Sequence, residues 1–267
     1  MTKIRYVLPV IAWVLLHASP VSATEPLGLY NTIARYEFSL AGIGFGKIAI
    51  GTNETDSTYD SRLLVKSRGV ASLFVKHSSD TKLQGARTQT GYIPHLYETN
   101  FQTRNKKKYI KLEYDAKGNI GKETSVPEDT DRPKVPTDQK LGAHDPLSLL
   151  FEIRKKLYDA LANSQKTFSV SMYDGRRLSR IQVDVIDIVT REVAGQKQRL
   201  IHVATSRAPI AGYTEKELLR MKDSPQTLQV YFSDDANLWP MLMEVNVFMA
   251  TLRGEWVKNC DTIDACF

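Results

Sequence analysis

Four histidines lie beyond residue 23, His77, His95, His144 and His202, and each stands alone. A zinc protease sets two histidines four residues apart on one helix face, and that spacing is absent here. No serine sits in a Gly-x-Ser-x-Gly elbow, and neither cysteine has a histidine near it in sequence. Asp234 and Asp235 offer two carboxylates, but adjacent strand residues face opposite sides of a sheet, so the pair reads as a turn. The run Gly42-Ile43-Gly44-Phe45-Gly46 superficially suggests a phosphate loop. Because a strand pattern (Lys47 to Thr52) follows it where a helix is needed, it reads as a hairpin or bulge. The expectation is therefore a chain that is not an enzyme and holds no metal or cofactor.

The first 23 residues read as an export signal. Lys3 and Arg5 are followed by the ten-residue apolar run Val7 to Leu16 and by Val21-Ser22-Ala23, a small-residue cleavage site. Cleavage after Ala23 would free a mature chain from Thr24, place it in the periplasm, and lower the formal charge from +6 to +4 by removing Lys3 and Arg5. That mild charge and this compartment disfavour nucleic acid, while an envelope protein or lipid stays open as partner. The mature residues contain no apolar stretch long enough for a transmembrane span. In an oxidising compartment Cys260 and Cys266 are expected to form a disulfide. Their five-residue spacer is not the two-residue spacing of thiol oxidoreductases.

The remainder must be mostly strands. From Tyr36 to about Tyr114 apolar residues alternate, as on a half-buried sheet. Residues 121–143 carry Pro127, Pro133, Pro136 and nine charged residues, a loop or linker. Asp145 then caps a helix with Pro146 in its first turn. Leu147, Leu150, Phe151, Ile153, Leu157, Tyr158 and Leu161 share one broad face of it. That face either packs on the strands or lines an apolar pocket. Arg154 falls inside the same face, with its stem on the core and its head either in water or paired to a carboxylate from the sheet. Asp174-Gly175 marks a hairpin, Thr214-Glu215-Lys216-Glu217 opens a short helix with a capping box, and three final strands cover Thr227 to Trp256.

Asp145-Pro146-Leu147-Ser148, Tyr173-Asp174-Gly175-Arg176-Arg177, and Phe232-Ser233-Asp234-Asp235-Ala236 before Trp239-Pro240 occur in an order and spacing that resembles a bacterial exported family, domain of unknown function 3108. Ala41-Gly42-Ile43-Gly44 and Pro94-His95-Leu96-Tyr97 add to the likeness, which runs from about Tyr36 to Glu255. The resemblance implies an envelope protein with a strongly curved antiparallel sheet and brings no catalytic residues. Within its motifs, Asp174 and Asp234 are the carboxylates expected to pair with Arg154.

The expected fold is all-β with one long helix: a highly curved or barrel-like antiparallel sheet, covered on its concave side by the amphipathic helix. Residues 24–267 would form a single domain; two half-sheets joined by the Pro-rich loop are the alternative. Two functions follow as expectations. One is a non-catalytic periplasmic cell-envelope factor that binds a protein or envelope component. The other is a periplasmic carrier or sensor of an apolar ligand, a lipid or acyl chain, held against the helix face.

Overall fold

The computed structural model describes residues 31–67, 77–223, 227–247 and 250–267; residues 1–23, read above as an export signal, lie outside them. The alternating segments form β1 (Thr32–Leu40), β2 (Ile43–Glu54), β3 (Thr58–Ser67), β4 (His77–Arg87), β5 (Tyr92–Thr103), β6 (Lys107–Tyr114) and β7 (Ile120–Val126). The second half supplies β8 (Thr167–Tyr173), β9 (Leu178–Val193), β10 (Gln196–Ala211), β11 (Thr227–Ser233), β12 (Pro240–Val247) and β13 (Ala250–Asn259). All join one 13-stranded antiparallel sheet in the order β7-β6-β5-β4-β3-β2-β1-β13-β12-β11-β10-β9-β8. The chain thus meanders outward to one edge, crosses to the other, and meanders back until β13 pairs with β1, Tyr36 opposite Trp256 and Phe38 opposite Gly254.

The sheet is not closed by a ladder, because β7 and β8 form its two ends. Side chains nevertheless join those ends. The Tyr173 hydroxyl on β8 donates to Glu123 on β7 at 2.8 Å, and Lys140 reaches the same carboxylate at 3.1 Å. The free edge of β8 is also covered by His144, whose N–H donates to the Ser171 carbonyl while its own carbonyl accepts from Tyr173. Strand twist brings the edges face to face, and these contacts shield backbone groups that would otherwise template another strand.

The concave side is filled by α1 (Ser148–Ala162). Asp145 starts it: one carboxylate oxygen accepts the N–H groups of Leu147 and Ser148, and the other takes the Ser148 hydroxyl at 2.6 Å. It ends at Asn163, followed by Ser164 at φ 55°. Leu147 and Phe151 pack among Tyr59, Tyr92, Leu112 and Tyr173, from strands far apart in the sheet order. Ile153 and Leu157 pack among Val170, Val183, Ile201 and Phe232. Each such buried side chain contributes about 2–3 kcal/mol, so the helix holds the curl together from inside.

The short helix expected behind the Thr214 capping box is α2 (Glu215–Asp223), which follows the reciprocal bonds of Thr214 and Glu217 and has no buried residue, so the described sheet carries two helices. One expectation changes. Residues 120–126, taken mostly as loop, are edge strand β7. An edge strand paired on one side and facing water with Lys122 and Glu123 lacks the apolar alternation that would reveal it. At the C-terminus Cys260 and Cys266 stand at disulfide distance with Cα atoms 5.7 Å apart. The tail they loop lays Ile263 and Cys266 on Ile33, Ala49 and Leu64. Among the described residues, no helix is long and apolar enough to cross a membrane.

Candidate functional site

Arg154 lies one turn beyond Phe151 on α1, facing the end of β2, the start of β5 and the turn between β11 and β12. Its head is 11% exposed, and it does not meet Asp174 or Asp234. Instead its Nη1 contacts Glu54 at the end of β2 at 2.7 Å, and its Nε donates to the Asn237 carbonyl at 2.8 Å. The guanidinium also stands 5.1 Å from the Trp239 ring and 5.6 Å from Phe151. Tyr92, at the start of β5, completes the group by donating its hydroxyl to the second Glu54 oxygen at 2.5 Å.

Burial alone would raise the Glu54 carboxyl; Arg154, the Tyr92 hydrogen bond and Arg87 outweigh it and hold the carboxyl below its ordinary value. Burial, and then the hydrogen bond and charge of Glu54, push the Tyr92 hydroxyl up to about 12. Glu54 is therefore ionised at neutral pH, and Tyr92 stays a donor.

Around this pair opens a cleft of about 890 Å³. Its aromatic walls are Tyr92, Tyr158, Trp239 and Trp256, and its polar lining includes Gln198, Ser233 and Asn237. Asp235 shapes the rim, since its carboxylate caps the turn by accepting the N–H of Asn237 at 2.8 Å. Of the seven residues expected to line an apolar pocket, only Tyr158, 58% exposed, lines this cleft. Leu147, Phe151, Ile153 and Leu157 are core, Leu150 packs against both inner clusters, and Leu161 is 37% exposed at the helix end.

Asp174 and Asp234 have other partners, Asp174 at the far seam and Asp234 within the same turn that lends Arg154 the Asn237 carbonyl. Asp234 pairs with Arg199 at 2.7 Å. Asp174 caps its own hairpin turn and pairs with Arg177 at 2.7 Å. That hairpin belongs to a second concavity, about 420 Å³, along the β7–β8 seam. There Arg132 donates to Asp129 at 2.9 Å, to Glu217 at 3.1 Å and to the Gly212 carbonyl at 2.6 Å. Arg176 joins Asp129 at 2.6 Å. Gly212 sits at φ 76° with the Arg176 carbonyl oxygen where a Cβ would be, so no other residue fits that turn. Burial opposes ionisation of Asp129 and Glu217, but their arginine bonds prevail and hold both carboxyls down to about 2.

Sequence reasoning missed Glu54, Gln198 and Trp256. Each lies far along the chain from Arg154 and joins it only through sheet curvature, so no local spacing marks them. Trp239 was in view as part of a resembling motif, without a role.

The model of a family described as a protein of unknown function, DUF3108, matches residues 35–255. Among solved structures, the chain is similar to a beta-barrel-like protein of domain of unknown function DUF1849 from Brucella abortus. The identity is 13%, the TM-score 0.51, and the match covers 86% of this chain and 97% of that one. It is also similar to a candidate lipoprotein from Parabacteroides distasonis at 9% identity and TM-score 0.39, over 88% of this chain and 97% of that one. No curated protein matches the chain.

Proposed function

We propose, from the premise that this chain belongs to the DUF3108 family, that it is a non-catalytic, exported cell-envelope factor that binds an envelope component in the Arg154 cleft. The observation that carries this reading is the cleft itself. Its volume is within the roughly 300–1,000 Å³ of small-molecule sites, and aromatic walls surround a preformed polar centre. Its charges favour binding over catalysis. Glu54 has both oxygens occupied by Tyr92 and Arg154, so it does not face the space as a free base. The signal-like residues 1–23 support export to the periplasm. An apolar carrier would need space against the helix face, and that face is filled by core side chains.

Radical footprinting of the purified mature chain tests the reading. Native envelope extract should protect Tyr158 and Trp256 from oxidation and leave Tyr109, remote from the cleft, unchanged. Equal oxidation of Tyr158 and Trp256 with and without extract would reject cleft binding.

A further inference from the structure

We infer that the ligand of this cleft is a neutral, polyhydroxylated molecule, an oligosaccharide segment of envelope glycan. The inference rests on the binding reading above and adds its chemistry. The charges of the described residues at the cleft balance, with Arg87, Arg154 and Lys155 set against Glu54, Asp235 and the Asp159 that holds Lys155. Arg154 is held by Glu54 and the Asn237 carbonyl, Lys155 by Asp159 at 2.7 Å, and Asp235 by its own turn. Arg87 donates to the Thr55 carbonyl at 3.2 Å and faces Glu54. Neither an anionic nor a cationic ligand would meet a net charge of opposite sign among the described residues.

What remains is neutral. The Gln198 and Asn237 side-chain amides and the Tyr158 hydroxyl line the cleft and make no side-chain hydrogen bond among the described residues. Each amide offers two donors and an acceptor, and the hydroxyl offers both roles. A lipid chain covering them would leave these groups dry and unpaired, which is unfavourable. A saccharide satisfies both halves of the lining. Its hydroxyls pair with the amides, while its C–H faces lie on the rings of Trp239, Trp256 and the two tyrosines.

Isothermal titration calorimetry with the full mature chain decides the matter. The probes are the tetramers of N-acetylglucosamine, glucose linked β-1,4 and glucose linked α-1,4, beside inorganic phosphate, palmitate and phosphatidylglycerol vesicles. At least one neutral tetramer should bind saturably, and Gln198→Ala with Asn237→Ala should weaken it by about tenfold or more, with Tm unchanged. Phosphate, palmitate and vesicles should give no heat of binding at the same concentrations. Binding of palmitate or vesicles without any tetramer would overturn the glycan assignment. So would tetramer binding that both amide variants leave intact. If envelope extract protects Tyr158 while no tetramer binds, the glycan inference fails and the binding reading stands. If neither occurs, both fail.

Discussion

At the cleft and at the seam an arginine meets a carboxylate across the curled sheet, yet the two sites are built for different ends. Arg132 at the seam is 8% exposed and joins Asp129, Glu217 and Gly212, drawing the Pro-rich segment, α2 and the β10 end into one knot. Arg154 makes two such contacts and stands beside amides and a hydroxyl that have no side-chain partner. A saturated ion network stabilises a closure that the backbone does not make. A partly satisfied one next to open space keeps hydrogen-bonding capacity for something else. The same residue types are therefore structural in one concavity and available for binding in the other, and accounting for every donor and acceptor separates them.

The largest effect expected from breaking that contrast is at the seam. Arg132→Met leaves two partly buried carboxylates, Asp129 and Glu217, with fewer partners, and should destabilise the protein by about 3–5 kcal/mol in urea unfolding. Saccharide binding at the far cleft should survive in whatever fraction stays folded. A loss under about 1 kcal/mol would mean the seam is held by packing alone.

Arg154→Met should cost less, about 2–3 kcal/mol, because it deprives one carboxylate of its cation where Arg132→Met deprives two. It should also abolish ligand binding, since Glu54 and Tyr92 lose the group that fixes them. A variant as stable as wild type would show that the guanidinium head is solvated and only its stem matters. A cost above that of Arg132→Met would reverse the comparison.

These sites also mark how far the sequence is readable. The strand alternation, the Asp145 helix with its apolar face, the Asp174 turn and the Thr214 capping box are local signals, and each appears where its spacing puts it. The placing of Arg154 within an apolar face leaves its head either in water or paired to a carboxylate, and the fold gives it Glu54. Its partner was out of reach because Glu54 is 100 residues away and meets it through curvature. The motif aspartates were plausible by proximity in the pattern, but Asp174 is held at the opposite end by its own turn and Arg177. Strand β7 escaped for a related reason: an edge strand takes its order from one neighbour, and its sequence need carry no apolar period.

The smallest expected effect is a difference in acid sensitivity. Asp129 and Glu217 titrate at about 2 in the folded protein, below their ordinary values of 3.8 and 4.5. Depressed carboxyls contribute stability that is fully present above the ordinary value and lost as pH falls through the folded one, so the window runs from about 4.5 to about 2. Glu54 is also lowered and acts with the same sign, from the cleft. Asp145 acts oppositely, since burial raises it despite its bonds to Ser148, and protonation relieves a buried charge. Urea midpoints measured from pH 5 to pH 2 should therefore fall. The fall should be shallower in Glu217→Gln than in wild type, and Glu54→Gln should lie between them. Both seam carboxyls retain some contact with water, which screens the gain and makes the change in slope modest. If Glu54→Gln flattens the profile more than Glu217→Gln, the cleft pair rather than the seam is the principal charge lock of the curled sheet. The cleft's binding role would then have to rest on its amides and rings alone.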